Sequence, residues 1–477
     1  MKKIVLAMVL LVALLFNCLA FASCGGGKNQ ALGDFVVPEN GYDGSEVTIK
    51  FYHTMGQNLK PVLESTIAAF NELYPNIHIE EEAVGGYDDV RDQIKTEITV
   101  GNQPHIAYCY PDHVALYNLA KAVVTLDDLI ASEIVVNRAD GSTEPLGLTQ
   151  TQIDDFIKGY YDEGKQFGDD KMYTMPLSKS TEVLYYNKTF FDQHGLTVPT
   201  TWDEMETVLK QIKAIDPSCT PLGYDSEANW FITMCEQQGS PYTSATGDHF
   251  LFANDANYAF VERFAAWHRE GLVTTKEISG GYTSALFTNQ EEGGTRSYMS
   301  IGSSAGATKQ RPTKVNNEYP FDVGITTIPQ VDPANPKVIS QGPSVCIFKK
   351  ANPQEVVASW LFVKYMITSP AFLAQFSMAS GYVPPIKSII NEPKYKAFLD
   401  SANGGDGIAA LAAKICMEQE HAYYTSPAFN GSSTARDQVG LLIQQCFQFD
   451  PKTTPDIPAA IRAAFAEAVA RCQYEVG

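Results

Sequence analysis

The chain has 477 residues and a formal net charge of −20 at neutral pH, with 55 acidic residues against 35 lysines and arginines. That length is enough for two domains, and that charge repels nucleic acid and anionic membrane surfaces, so no nucleic-acid partner is expected. The charge says little about a small ligand, because a few local groups outweigh the global field at contact distance.

Met1-Lys2-Lys3 leads into an apolar run over 4–16 and then Phe21-Ala22-Ser23-Cys24-Gly25, which reads as a signal peptide over 1–23. The apolar run is shorter than the roughly 20 residues of a membrane span, and no later stretch is long enough either. Small residues directly before Cys24 resemble a bacterial lipobox, which would make Cys24 the acylated residue. Phe21 stands where leucine is usual, so ordinary signal-peptide cleavage is the alternative. Residues 24–45, rich in Gly, Asn and Asp, read as a linker holding the folded body off the lipid.

The body opens with a strand at 46–53, where Val47, Ile49 and Phe51 alternate, and a helix over 59–74 with Leu63, Thr66 and Phe70 on one face. Strands at 77–83 and 104–110 follow, each leading into a helix, and this alternation predicts a mostly parallel, doubly wound sheet. Ligands bind such sheets at the carboxyl ends of the strands, which puts Tyr87, Tyr110 and Asp112 at the opening. For Asp112, a plain helix-capping role is the competing reading.

A helical stretch over 149–164 precedes Met175-Pro176-Leu177-Ser178-Lys179-Ser180-Thr181, a proline-led segment that should be extended without being a central strand. It runs into the apolar Val183-Leu184-Tyr185-Tyr186, which suits a buried strand and makes the whole a candidate connection between two lobes. A second α/β run follows. Thr201-Trp202-Asp203-Glu204 is a capping box. Residues 227–238 form a helix carrying Trp230 and Phe231, and strands are expected at 221–224, 298–301, 321–328 and 345–348. From Pro353 the chain reads as helical.

The block Pro176–Lys188 closely resembles the inter-lobe crossing of the extracellular solute-binding proteins of ATP-binding-cassette importers, especially the branch with glycerol-3-phosphate- and maltose-binding members. Further landmarks are Phe51–Met55, Gly85-Gly86-Tyr87, Gly342-Pro343-Ser344 and Ser380–Pro384, in that order. The resemblance implies an α/β, two-lobe periplasmic-binding-protein fold, each lobe a doubly wound sheet flanked by helices and joined by a hinge, with a helical C-terminal portion. On this reading 46–170 plus about 303–345 form lobe 1, and about 176–300 plus 350–477 form lobe 2.

It also implies ligand contacts: Tyr87, Asp112, Ser180, Trp230 (with Phe231 the other ring), Ser303, Ser304, Gly342 and Tyr382. Arg436 falls near a phosphate-gripping arginine of the glycerol-3-phosphate branch, and a forked guanidinium is a natural phosphate partner. Gly302-Ser303-Ser304-Ala305-Gly306 also fits a nucleophile elbow, with Ser304 as nucleophile and His421 as base, although no acid or oxyanion motif accompanies it.

Histidines show no metal-ligand spacing, and neither a Walker nor a dinucleotide glycine pattern occurs, so no metal or cofactor is expected. Beyond Cys18 and Cys24, seven cysteines fall mostly in apolar stretches and read as buried thiols; Cys219 with Cys235 is the pair to consider for a disulfide.

The function expected is a monomeric, extracytoplasmic lipoprotein that closes on a sugar or polyol phosphate and delivers it to importer permease subunits. A neutral oligosaccharide is the alternative ligand; a serine hydrolase and an extracytoplasmic sensor are alternatives of other classes. Cys24→Ser is expected to abolish acyl labelling and either release the protein or leave an uncleaved precursor. Unchanged lipid incorporation would rule Cys24 out.

Overall fold

The apolar alternation that opens the body becomes the centre of its first sheet. A computed structural model describes residues 32–289, 291 and 293–476; the leader, Cys18 and Cys24 lie outside the described residues. The chain runs β1 (Val47–His53), α1 (Lys60–Leu73), β2 (Ile77–Ala83), α2 (Tyr87–Ile98), β3 (Ile106–Cys109) and α3 (Pro111–Asn118). It crosses through β4 (Met175–Pro176) into β5 (Glu182–Asn187). The second body follows as α4 (Trp202–Ile215), β6 (Leu222–Tyr224), α5 (Glu227–Gln238), α6 (Asp255–Arg269), β7 (Val273–Thr275), β8 (Met299–Ser303) and β9 (Val323–Thr327). Then come β10 (Ser344–Ile347), α7 (Pro353–Thr368), α8 (Pro370–Ser380), α9 (Ser432–Phe447) and α10 (Ile457–Val476).

The first sheet has the order β2-β1-β3-β10-β4 and the second β9-β5-β8-β6-β7. β1 pairs in parallel with β2 and β3, as the strand–helix alternation requires. The strands nearest the crossings are antiparallel: β10 to β3 and β4, and β5 to β8 and β9. Pro176 sits at the edge of its sheet, where its missing N–H costs no ladder bond. The Thr201 capping box forms as expected, with the Thr201 hydroxyl accepting from the Glu204 amide.

Two assignments of chain to lobe are corrected. Residues 323–327 belong to the second sheet, because β9 pairs with β5 in the register Ile325↔Tyr185. Residues 353–400 belong with the first body. α7 is apolar on nearly every side and buries Trp360, Phe362 and Val363 in the first core, and Phe362 meets Phe51 and Phe70 with ring centroids 6.2 and 5.1 Å away. The expected helix over 149–164 is two short ones, Gln150–Asp155 and Lys158–Asp162. All seven cysteines among the described residues are free and buried, so Cys219 and Cys235 are not bridged. No single helix among the described residues is long and apolar enough to cross a membrane.

The two main cores share no buried residue. What joins the bodies is a set of extended crossing segments with a buried ion pair at their centre. The Lys179 ammonium donates to Glu163 Oε1 at 2.7 Å, to Ser344 Oγ at 3.0 Å and to the Gly342 carbonyl at 3.3 Å. Ser340 Oγ donates to the other Glu163 oxygen at 2.9 Å. Side-chain exposure is 0% for Lys179 and 2% for Glu163, so neither charge can be solvated if the other leaves. Lys179→Ala is expected to lower the unfolding free energy by about 3–5 kcal/mol, read from urea melts. Lys179→Met combined with Glu163→Leu should recover most of that loss. A loss below about 1 kcal/mol in the single variant, the range of an exposed pair, would contradict this account.

Candidate functional site

The carboxyl ends of strands from both sheets face one another across a cleft of about 940 Å³. The first body supplies an aromatic wall. Tyr87 opens α2, Tyr110 precedes α3 in an extended conformation, and Tyr382 follows α8. The Tyr87 and Tyr110 rings lie 4.7 Å apart at 41°, and the Tyr87 and Tyr382 hydroxyls are 3.5 Å apart. Burial pushes the phenols of all three well above or above the ordinary tyrosine range, so they stand in the cleft as neutral donors. Gly381, at φ +80°, is the left-handed residue that ends α8, and a Cβ there would come within 2.7 Å of the Ala305 carbonyl of the other body.

The second body supplies a polar and ionic wall that includes Glu182, Asp225, Asn229, Lys276, Ser303 and Arg436. Arg436 is half-buried on the second turn of α9, and its Nη2 donates to Asn229 Oδ1. Asn229 Nδ2 in turn donates to Glu182 Oε1 at 3.1 Å, and the Tyr224 hydroxyl donates to Glu182 Oε2 at 2.5 Å. Burial raises the Glu182 carboxyl to about 7, against the opposing pull of those two hydrogen bonds and of Arg436. Burial also raises Asp225, whose Oδ1 accepts the Thr283 amide at 2.7 Å and hydroxyl at 2.8 Å. At the mouth of the cleft, Arg91 of α2 donates to Ser433 Oγ of α9 at 3.2 Å, a hydrogen bond between the bodies.

Of the residues expected at the site, Tyr87, Asp112, Ser303, Tyr382 and Arg436 line this cleft. Asp112 does not cap its helix: Tyr110 is the N-cap and no side chain caps it, while Asp112 sits in the first turn, accepts the His113 amide at 3.0 Å and lines the cleft. Trp230 does not line it. It is 0% exposed in the second core, stacked between Tyr224 at 4.7 Å and Phe264 at 4.0 Å, and Phe231 is buried beside it. One residue earlier on α5, a rotation of about 100°, Asn229 turns to the cleft in its place.

Ser304 is 0% exposed, and its oxygen accepts the Thr181 amide at 3.2 Å. Held in the crossing, it cannot reach a substrate in the cleft, and His421 lies exposed in a separate turn at 420–422, so the nucleophile-elbow reading is withdrawn. Ser180 is buried behind the wall and accepts from the Ser303 hydroxyl at 3.2 Å. Gly342, at φ +93°, serves the crossing and not the cleft. A Cβ there would meet the Ser178 carbonyl at 2.6 Å and Lys179 Cα at 2.9 Å.

Sequence reasoning missed Glu182, Asp225 and Asn229. A carboxylate directly before the apolar run Val183-Leu184-Tyr185-Tyr186 was the available signal for Glu182. Among the described residues no three His, Cys, Asp or Glu side chains are grouped to hold a metal ion.

The model of a family described as bacterial extracellular solute-binding protein matches residues 65–399, more than half of the chain. The chain belongs to that family. Like other solute-binding proteins it works outside the cytoplasm. It is 21% identical over 368 residues to the sn-glycerol-3-phosphate-binding periplasmic protein UgpB of Escherichia coli strain K12, covering 75% of this chain and 79% of that one. Among solved structures it superposes on UgpB from Mycobacterium tuberculosis in complex with glycerophosphocholine, with a TM-score of 0.69 at 17% identity, covering 90% of this chain and 98% of that one. It superposes comparably on the sugar-binding protein MalE from Xanthomonas citri, with a TM-score of 0.67 at 16% identity and coverages of 90% and 98%. At these identities the superpositions establish a shared two-lobe solute-binding fold and nothing finer.

Proposed function

We propose that this solute-binding protein is the receptor of an ATP-binding-cassette importer, tethered through Cys24, and that it captures a phosphorylated polyol such as glycerol 3-phosphate between its two bodies. The observation that carries the reading is Arg436. Its guanidinium is half-buried in the cleft wall and oriented by Asn229, which takes up one of its five N–H donors. The remaining donors suit the oxygens of a phosphate, for which a planar fork is the best side-chain partner. Ser303 and Lys276 add a hydroxyl and a second cation to the same wall. The tyrosines opposite cover C–H faces and donate to hydroxyls. Closure of the two bodies then replaces the ligand's water and builds one surface that a permease can read as loaded. The relatives named for glycerol 3-phosphate and glycerophosphocholine support this ligand class.

A neutral oligosaccharide is the second reading, favoured by the wall of Tyr87, Tyr110 and Tyr382 and by a cleft of about 940 Å³. Against it stands the burial of Trp230, which leaves α5 without an aromatic platform for a sugar ring.

With glycerol 3-phosphate, Arg436→Ala is expected to weaken binding by about 2–4 kcal/mol, roughly thirtyfold to a thousandfold. Arg436→Lys should recover part of that, because an ammonium keeps the charge and loses the fork. Calorimetric titration of the wild type and both variants, with a maltodextrin in parallel, checks this. Tight maltodextrin binding that Arg436→Ala leaves unchanged, with no heat from the phosphate ester, would sink the phosphate reading and leave the receptor fold standing.

A further inference from the structure

Glu182 opens β5 with 1% of its surface exposed, and Ser303 of β8 is its register partner across the sheet. Its carboxylate is one carboxamide away from the cleft's arginine. Asn229 gives its N–H to Glu182 and receives an N–H from Arg436, so this amide serves both neighbours in one orientation only. The other groups facing Glu182 are Tyr224 and Asp225 from β6 and its turn, and Tyr424 from the short strand at 423–424. Arg436 is the single cation of this set, and Asp225 adds a second carboxyl.

An anion arriving at Arg436 therefore meets a wall that already holds a buried carboxylate bridged to the same guanidinium. Two like charges cannot share one arginine cheaply in a poorly solvated wall, and neutralising the buried carboxylate is the relief open to it. We propose that Glu182 is a positioning residue for Arg436 that takes up a proton when an anionic ligand binds, making the receptor's affinity for that ligand pH-dependent. The inference rests on the phosphate reading above.

The proton comes from bulk solvent and resides on Oε2. The hydrogen bond with Tyr224 reverses direction, so that the carboxyl O–H donates to the phenol oxygen, and Asn229 keeps its donation to Oε1. No covalent bond other than the new carboxyl O–H forms or breaks, and the phenol hydrogen swings off Oε2 as the hydrogen bond reverses. The sign follows from the free protein, in which burial holds this carboxyl near 7. Below that pH Glu182 is already neutral and the anion binds at full strength. Above it binding requires proton uptake, and affinity falls by up to about tenfold per pH unit.

Calorimetry with glycerol 3-phosphate between pH 7.5 and 9, where a phosphate monoester is essentially dianionic, tests this in buffers of different ionisation enthalpy. Wild type should take up between about half and one proton per ligand at pH 8, and its affinity should fall by about tenfold across the range. Glu182→Gln, an isostere of the protonated acid, should bind with no proton uptake and a flat pH profile. Heat from wild type without proton uptake overturns this inference and leaves the phosphate reading intact. Equal uptake in Glu182→Gln assigns the proton elsewhere and overturns it as well. No heat from the ester at any pH sinks the phosphate reading and the inference together.

Discussion

Two bodies with separate cores are held by a few extended segments, and those segments are organised around one buried ion pair. Lys179 and Glu163 are both inaccessible to water, and their mutual attraction alone does not repay the loss of two hydration shells. The deficit is met by Ser340, Ser344 and the Gly342 carbonyl, which satisfy the remaining donors and acceptors. Every one of those partners comes from a crossing segment or from the strand beside it. The pair therefore fixes how the crossings lie against each other, a role in register more than in net stability. Gly342 is required for the same reason, since any side chain there would collide with the backbone that carries Lys179. Within this fixed junction, backbone hydrogen bonds such as Ser180 to Gln341 and Lys179 to Val383 tie the segments of each crossing together.

Because the junction lies at the base of the cleft, the two walls can differ in character while remaining in register. One is aromatic, made of Tyr87, Tyr110 and Tyr382 of the first body, with Asp88, Arg91 and Asp112 beside them. The other is ionic, made of groups held by second-body hydrogen bonds: Asp225 by Thr283, Arg436 by Asn229, Asn229 by Glu182. A ligand that satisfies both walls carries charge on one side and C–H or hydroxyl surface on the other. A phosphorylated polyol has that division; a neutral sugar would leave the remaining N–H donors of Arg436 without an anionic partner.

Much of this was legible in the sequence, and what was not has a common physical cause. β1 follows from local alternation, β2 and β3 from the strand–helix rhythm that continues it, and Pro176 marks its own segment as an edge. The crossing block is recognisable because a buried strand and an extended polar lead-in stand side by side. The placement of 323–327 and 353–400 was not legible, since it depends on which body each segment pairs with after a long excursion. Within the site the errors are single-residue ones. A helix turns about 100° per residue, so Trp230 enters the core and Asn229 the cleft; Ser303 and Ser304, neighbours at the end of a strand, part in the same way. Glu182 belongs to the recognised block, but its charge at the head of an apolar run was the more informative fact.

The central claim is that ligand binding closes one body on the other about the crossings. Small-angle X-ray scattering of the purified protein, with and without saturating glycerol 3-phosphate, tests it most directly. The account predicts a smaller radius of gyration with ligand bound, and curves that return to the ligand-free form when the ester is dialysed away. Superimposable curves under conditions where calorimetry shows the site to be full would contradict it, and would make the cleft a rigid binding surface.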